Sequence, residues 1–155
     1  MPDAAVTTIE TGARQVSCRV TVNAPAAAIF DLVADPHRHP ELDGSGTVRD
    51  RAVKGPARLS QGATFGVGMK QYGVPYAITS TVTAFVEDRL VEWQHPLGHR
   101  WRWALEETTP GTTQVTETFD YAGAKAPKVL EVFRLPEKNK DGITSTLQAL
   151  ARRFA

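Results

Sequence analysis

Trp101-Arg102-Trp103-Ala104-Leu105-Glu106-Glu107-Thr108-Thr109-Pro110-Gly111-Thr112-Thr113-Gln114-Val115-Thr116-Glu117-Thr118-Phe119-Asp120 decides the fold. Trp101, Trp103 and Leu105 alternate with polar residues. After Pro110-Gly111, Thr113, Val115, Glu117 and Phe119 alternate in the same way. Period two on both sides of a Pro-Gly turn predicts two antiparallel strands, each with one apolar face. Trp101, Trp103, Val115 and Phe119 are thereby assigned to one side of a sheet. Glu117 is assigned to that side with them.

Toward the N-terminus the same pattern continues. Residues 47–54, 63–70, 76–86 and 89–94 read as strands. They are separated by Lys54-Gly55-Pro56, Gly73-Val74-Pro75, Glu87-Asp88 and Pro96-Leu97-Gly98. Such short connections force antiparallel neighbours. The inward faces are expected to carry Phe65, Val67 and Met69, then Ile78, Ser80, Val82 and Ala84, then Val91 and Trp93. Before these, Val16, Cys18, Val20 and Val22 alternate with polar residues and form a further strand. About seven strands result. Asn23-Ala24-Pro25 reads as a helix start, with Ala26, Ile29, Phe30 and Val33 at helical spacing and a stop at Asp35-Pro36. The polar, Pro- and Gly-bearing stretch 37–46 has room for one short helix. Residues 1–13 are expected to be frayed, leaving 14–155 as a single domain.

Toward the C-terminus, Leu130 and Phe133 suggest a short helix ended by Leu135-Pro136. Ile143, Leu147, Leu150, Ala151 and Phe154 then mark an amphipathic helix of several turns. Gly142 either lets this helix approach the sheet or marks its irregular start. The fold class is therefore α+β: a curved antiparallel sheet wrapped around a long C-terminal helix. One helix is too narrow to fill the concave side of so wide a twisted sheet. Large side chains or a cavity must take up the rest.

Several stretches of the chain resemble the helix-grip superfamily of birch-pollen-allergen-like and steroidogenic-lipid-transfer (START) proteins. More narrowly, the chain is similar to the bacterial polyketide cyclase/dehydrase and lipid-transport family. The resemblance is carried by Val20-Thr21-Val22-Asn23-Ala24-Pro25 through Ala34-Asp35-Pro36, by Val91-Glu92-Trp93, and by Trp101-Arg102-Trp103-Ala104-Leu105-Glu106. Gly111-Thr112-Thr113-Gln114-Val115-Thr116 and Ile143-Thr144-Ser145-Thr146-Leu147-Gln148-Ala149-Leu150 complete it. It implies the helix-grip fold and an interior that binds a small hydrophobic molecule such as a lipid, isoprenoid or polyketide-like aromatic. Cyclisation or dehydration without a cofactor is implied for some members only. A third reading is a partner-binding domain with a filled core.

The cavity wall on this reading comprises Phe65, Val67, Met69, Ile78, Val82 and Trp93 from the first strands. Trp101, Trp103, Val115, Glu117 and Phe119 come from the last two, and Ile143 and Leu147 from the helix. Glu117 is the candidate general acid or base, or the anchor for a polar group of the ligand. Its plainer role is an ion pair at the sheet rim with Arg100 or Arg102. Tyr76 is a more distant proton-transfer candidate.

Other constellations point away from chemistry. His37 and His39 lack a third metal ligand at a suitable spacing and are expected in a polar connecting loop. His95 and His99 flank Pro96 and Gly98 and are expected as exposed turn residues beside a pocket mouth. Gly44-Ser45-Gly46 lacks the strand–turn–helix context of a nucleophile elbow. Cys18, the only cysteine, is expected as an inward core filler. No metal or other cofactor is expected. The 18 basic and 17 acidic residues give a net charge of +1, without the basic stripe of a nucleic-acid binder. Arg49, Arg51, Lys54 and Arg58 read as a solvated strand end and turn. No apolar run approaches the ~18 residues of a membrane span, and no signal peptide is evident. A cytoplasmic monomer or homodimer, not inserted in membranes, is the expectation.

Overall fold

The computed structural model describes residues 5–42, 48–71 and 74–155, and describes the backbone alone for 48–52, 67–71 and 74–76. The strands are β1 (Thr7–Ile9), β2 (Gln15–Val22), β3 (Val48–Lys54), β4 (Thr64–Gln71), β5 (Val74–Val86), β6 (Leu90–Gln94), β7 (Arg100–Thr109) and β8 (Thr112–Asp120). The helices are α1 (Ala26–Val33), α2 (His39–Leu42), α3 (Pro127–Val132) and α4 (Leu135–Arg153), with a 3-10 turn at Pro36–Arg38 between α1 and α2. All eight strands form one sheet in the order β1-β2-β8-β7-β6-β5-β4-β3, with every neighbour antiparallel.

The strand count exceeds the expected seven because β1 lies in the segment assigned to fraying. Thr7, Thr8 and Ile9 pair with Arg19, Cys18 and Ser17. These are strand-favouring residues, but three of them are too few to display alternation. Thr11 Oγ1 also lies 2.7 Å from Ser17 Oγ, which ties the turn to β2.

Residues paired across an antiparallel ladder project to the same side. Cys18, Glu117 and Trp103 therefore share one side, as do Val16, Phe119, Trp101 and Trp93. This is the concave side, because α4 lies on it. Helix α4 packs chiefly on β2 and β8 and buries Ile143, Leu147, Leu150 and Ala151. Burial of such side chains is worth roughly 1.5–3 kcal/mol each for the larger ones.

The pattern breaks once in β5. Val82 pairs with Trp93 but Ala84 pairs with Glu92, so a bulge at Thr83 inserts one residue. Beyond it the faces exchange. Ala84 moves to the outer side with Glu92, and Phe85 takes the inward position opposite Val91. Phe85 packs edge-on against Phe30 of α1, with ring centroids 5.2 Å apart.

The start of α1 has no local side-chain cap. Pro25 stands at the cap position and supplies no side-chain hydrogen bond. Glu107 of β7 supplies it instead: the Ala26 N–H donates to Glu107 Oε1 at 2.7 Å. Helix α4 runs unbroken through Gly142, which is thus interior to the helix and not its irregular start. Leu135-Pro136 opens α4, and Arg134 joins α3 to it in the left-handed region at φ 58°.

Candidate functional site

The concave face brings together most of the side chains assigned to it. Phe65, Val82, Trp103, Val115, Glu117, Phe119, Ile143 and Leu147 are all buried. Ile78, Trp93 and Trp101 are half-buried. Val67 and Met69 occupy the expected register opposite Ile78 and Tyr76, but their side chains, like that of Tyr76, lie outside the described residues.

Glu117 is buried on the inward side, between Val115 and Phe119 and across from Cys18 and Trp103. The rim pairing with Arg100 or Arg102 is not formed. Those residues pair with Asp120 and Thr118 in the ladder and so project from the opposite face. There they serve Glu92. Its Oε1 accepts from Thr83 Oγ1 at 2.8 Å and from Arg100 Nη1 at 3.2 Å, and its Oε2 accepts from Arg102 Nε at 2.7 Å. Arg102 Nη2 also donates to Asp120 Oδ2 at 3.2 Å. Burial raises the proton affinity of Glu92. The Thr83 and Arg102 hydrogen bonds, with the Arg102 and Arg100 charges, outweigh burial and hold the carboxyl below its usual range.

His39 is the residue that reading the sequence as a polar loop missed. Its ring stacks on Trp93 at 5.0 Å and meets Phe65 edge-on at 5.4 Å. Its Nε2–H donates to the Val33 carbonyl at 2.7 Å. Desolvation lowers its proton affinity, and that hydrogen bond opposes the shift only in part. The signal was available in outline: His39 stands one helical turn before buried Leu42. His37 points elsewhere and donates from Nε2 to the Gly55 carbonyl at 3.0 Å. The Gly44-Ser45-Gly46 stretch lies outside the described residues.

The β6–β7 turn also departs from expectation. His99 is not exposed: it retains 7% of its surface. Its ring stacks on His95 at 4.1 Å and meets Phe119 at 5.3 Å. Burial, reinforced by the neighbouring His95, pushes its pKa down to about 4. The turn docks on the loop after β8 through the Lys125 N–H, which donates to the Leu97 carbonyl at 2.9 Å. Gly98 makes that docking possible. It has φ +98°, and a Cβ there would lie 2.5 Å from the Gly123 carbonyl oxygen.

Of the remaining groups, Cys18 is a buried core residue, 1% exposed. Arg58 pairs with Asp31 at 3.0 Å and with Glu87, so it fastens α1 to the β5–β6 turn. The side chains of Arg49 and Arg51 lie outside the described residues. Two shallow hollows on the outer face, of about 210 and 320 Å³, are lined largely by polar groups such as Arg19, Glu106, Thr79 and Thr81. Their chemistry differs from that of the aromatic and aliphatic concave side.

The fold is an antiparallel sheet gripping a long C-terminal helix, with an inward aromatic wall. Residues 13–155 match the family described as polyketide cyclase / dehydrase and lipid transport. The chain belongs to this family. It is 51% identical, over 97% of its length, to an uncharacterized protein of Mycobacterium tuberculosis, of which it covers 68%. Among solved structures, a Rhodobacter sphaeroides protein superposes with a TM-score of 0.74 at 11% identity, covering 96% of this chain and 97% of that one. A START superfamily protein from Mycobacterium smegmatis superposes with a TM-score of 0.66 at 16% identity, covering 91% of this chain and 99% of that one. At these identities the structural likenesses establish the fold. Family and fold together support a ligand-binding domain. No helix among the described residues is long and apolar enough to cross a membrane.

Proposed function

We propose that the concave side of the sheet binds and carries a small hydrophobic molecule of the lipid, isoprenoid or polyketide-like aromatic class. One observation carries this reading. Helix α4 covers chiefly β2 and β8, whereas the inward tryptophans Trp93 of β6 and Trp101 of β7 keep accessible surface. Side chains that point inward and remain partly uncovered are what an apolar ligand would cover. Burial would supply roughly 25 cal/mol per Å² of apolar ligand surface before the costs of association. Glu117 would fix the orientation of a polar ligand group.

A second reading is favoured by the same carboxylate. A buried acid on the ligand side suits proton transfer, so a cofactor-free cyclase or dehydratase can use the same interior with Glu117 as general acid or base. One experiment separates the readings. Native mass spectrometry of the purified protein, followed by organic extraction, is expected to reveal a bound hydrophobic molecule. Glu117→Gln is expected to retain it. If the extracted molecule is turned over by the wild type and not by Glu117→Gln, the protein is an enzyme. If no molecule is found and a fluorescent apolar probe does not bind, the interior is filled and the binding reading fails.

A further inference from the structure

Helix α3 buries none of its residues. Val129 is 51%, Val132 77% and Phe133 68% exposed. They recur at steps of three and one and so lie on one face. The left-handed Arg134 at the α3–α4 corner turns the chain directly after Phe133. Leu97, 52% exposed, sits beside the approach to this helix, because its carbonyl accepts from the Lys125 N–H. Three large apolar side chains are thus exposed on one face at α3, and the turn that carries exposed Leu97 is hydrogen-bonded to the segment leading into that helix.

The charges nearest them in sequence are mostly basic. Lys125, Lys128 and Arg134 flank the patch and are exposed. Between residues 121 and 136 the only acidic residue is Glu131. Its charge is offset by Arg14, whose Nη2 lies 3.5 Å away, and Tyr121 Oη donates to it at 3.1 Å. On α4, Glu137 and Asp141 alternate with Lys138 and Lys140 and leave that side balanced.

We propose that α3 and the β6–β7 turn dock reversibly on an anionic lipid surface, with Val129, Val132, Phe133 and Leu97 entering the headgroup boundary and Lys125, Lys128 and Arg134 meeting lipid phosphates. The apolar set stands on a helix that buries none of its residues, which suits insertion into lipid. Four side chains expose on the order of a few hundred Å², short of the ~1,000 Å² that a specific protein interface takes. A basic apolar helix lying in the interface needs no such area, since anionic lipid adds to the attraction. This inference does not depend on what the interior holds.

The test is co-sedimentation of the full chain with vesicles of phosphatidylcholine alone and of phosphatidylcholine mixed equally with phosphatidylglycerol. Binding to the anionic vesicles is expected, weakened by salt, with little to phosphatidylcholine alone. Val132→Ser/Phe133→Ser is expected to abolish it while leaving binding of the apolar probe intact, which separates this surface from the interior. Lys125→Gln/Lys128→Gln is expected to weaken it about fivefold for each charge removed. Two outcomes overturn the proposal. One is anionic vesicles that fail to bind the wild type or that bind both double variants equally well. The other is a wild-type dimer that Val132→Ser/Phe133→Ser converts to a monomer, which would make the patch a contact between copies.

Discussion

At the scale of single residues, His99 makes the sharpest commitment. The unfolded chain takes up its proton near pH 6.5, the folded one only near pH 4. Above 6.5 both forms are neutral and the full stability is present. As pH falls through the window between these values, the unfolded state binds a proton that the folded state refuses, and stability declines. The whole shift corresponds to about 3 kcal/mol. His39 and His95 act in the same direction, both being lowered chiefly by desolvation. His99→Phe would keep a ring against Phe119 and remove the proton. Urea unfolding across this pH range should then show an acid limb shallower by about 1.4 kcal/mol per pH unit. Parallel curves for the variant and the wild type would mean that His99 is not desolvated. The sequence hid this role because a histidine beside proline and glycine looks like an exposed turn. Its burial comes from Phe119 and from the loop that Gly98 admits, both distant in sequence.

At the scale of elements, the alternation of Val16 to Val22, of Trp101 to Leu105 and of Thr113 to Phe119 was legible because each strand has one buried face. The periodicity that revealed the faces could not reveal where a strand adds a residue. Thr83 looks like any outward threonine, yet the bulge there exchanges Ala84 for Phe85 on the inside. The cap of α1 was equally hidden, since Glu107 lies 81 residues from the Ala26 N–H it accepts from. Its carboxylate meets the positive end of the helix, so it contributes both a hydrogen bond and a charge–dipole attraction. Glu107→Ala is expected to lower the unfolding free energy by about 1 kcal/mol, and Glu107→Gln by about half of that, because the amide oxygen still accepts. Chemical denaturation at neutral pH would measure both. Equal losses for the two variants would assign the effect to charge alone, and no loss in either would leave the helix start capped by water.

At the scale of the whole molecule, the concave side divides into two parts with different duties. Where α4 meets β2 and β8, side chains such as Leu147 and Val115 have no accessible surface. At the end of β6 and β7 that carries Trp93 and Trp101, both inward tryptophans are only half-buried. Stability and ligand affinity should therefore respond to different substitutions. Leu147→Ala removes a fully buried side chain from the helix–sheet seam and should cost about 3 kcal/mol, a large part of the ~5–15 kcal/mol that holds a domain of this size. At low denaturant it should still bind the fluorescent apolar probe. Trp101→Ala removes partly accessible aromatic surface and should cost less stability than Leu147→Ala while weakening probe binding more. Urea unfolding followed by circular dichroism, together with a probe titration of each variant, gives the four quantities needed. Were probe affinity to track stability across both variants, the concave side would be a continuous core, and the ligand would have to bind elsewhere. Separate responses would place the ligand beside Trp101, beyond the seam that α4 closes.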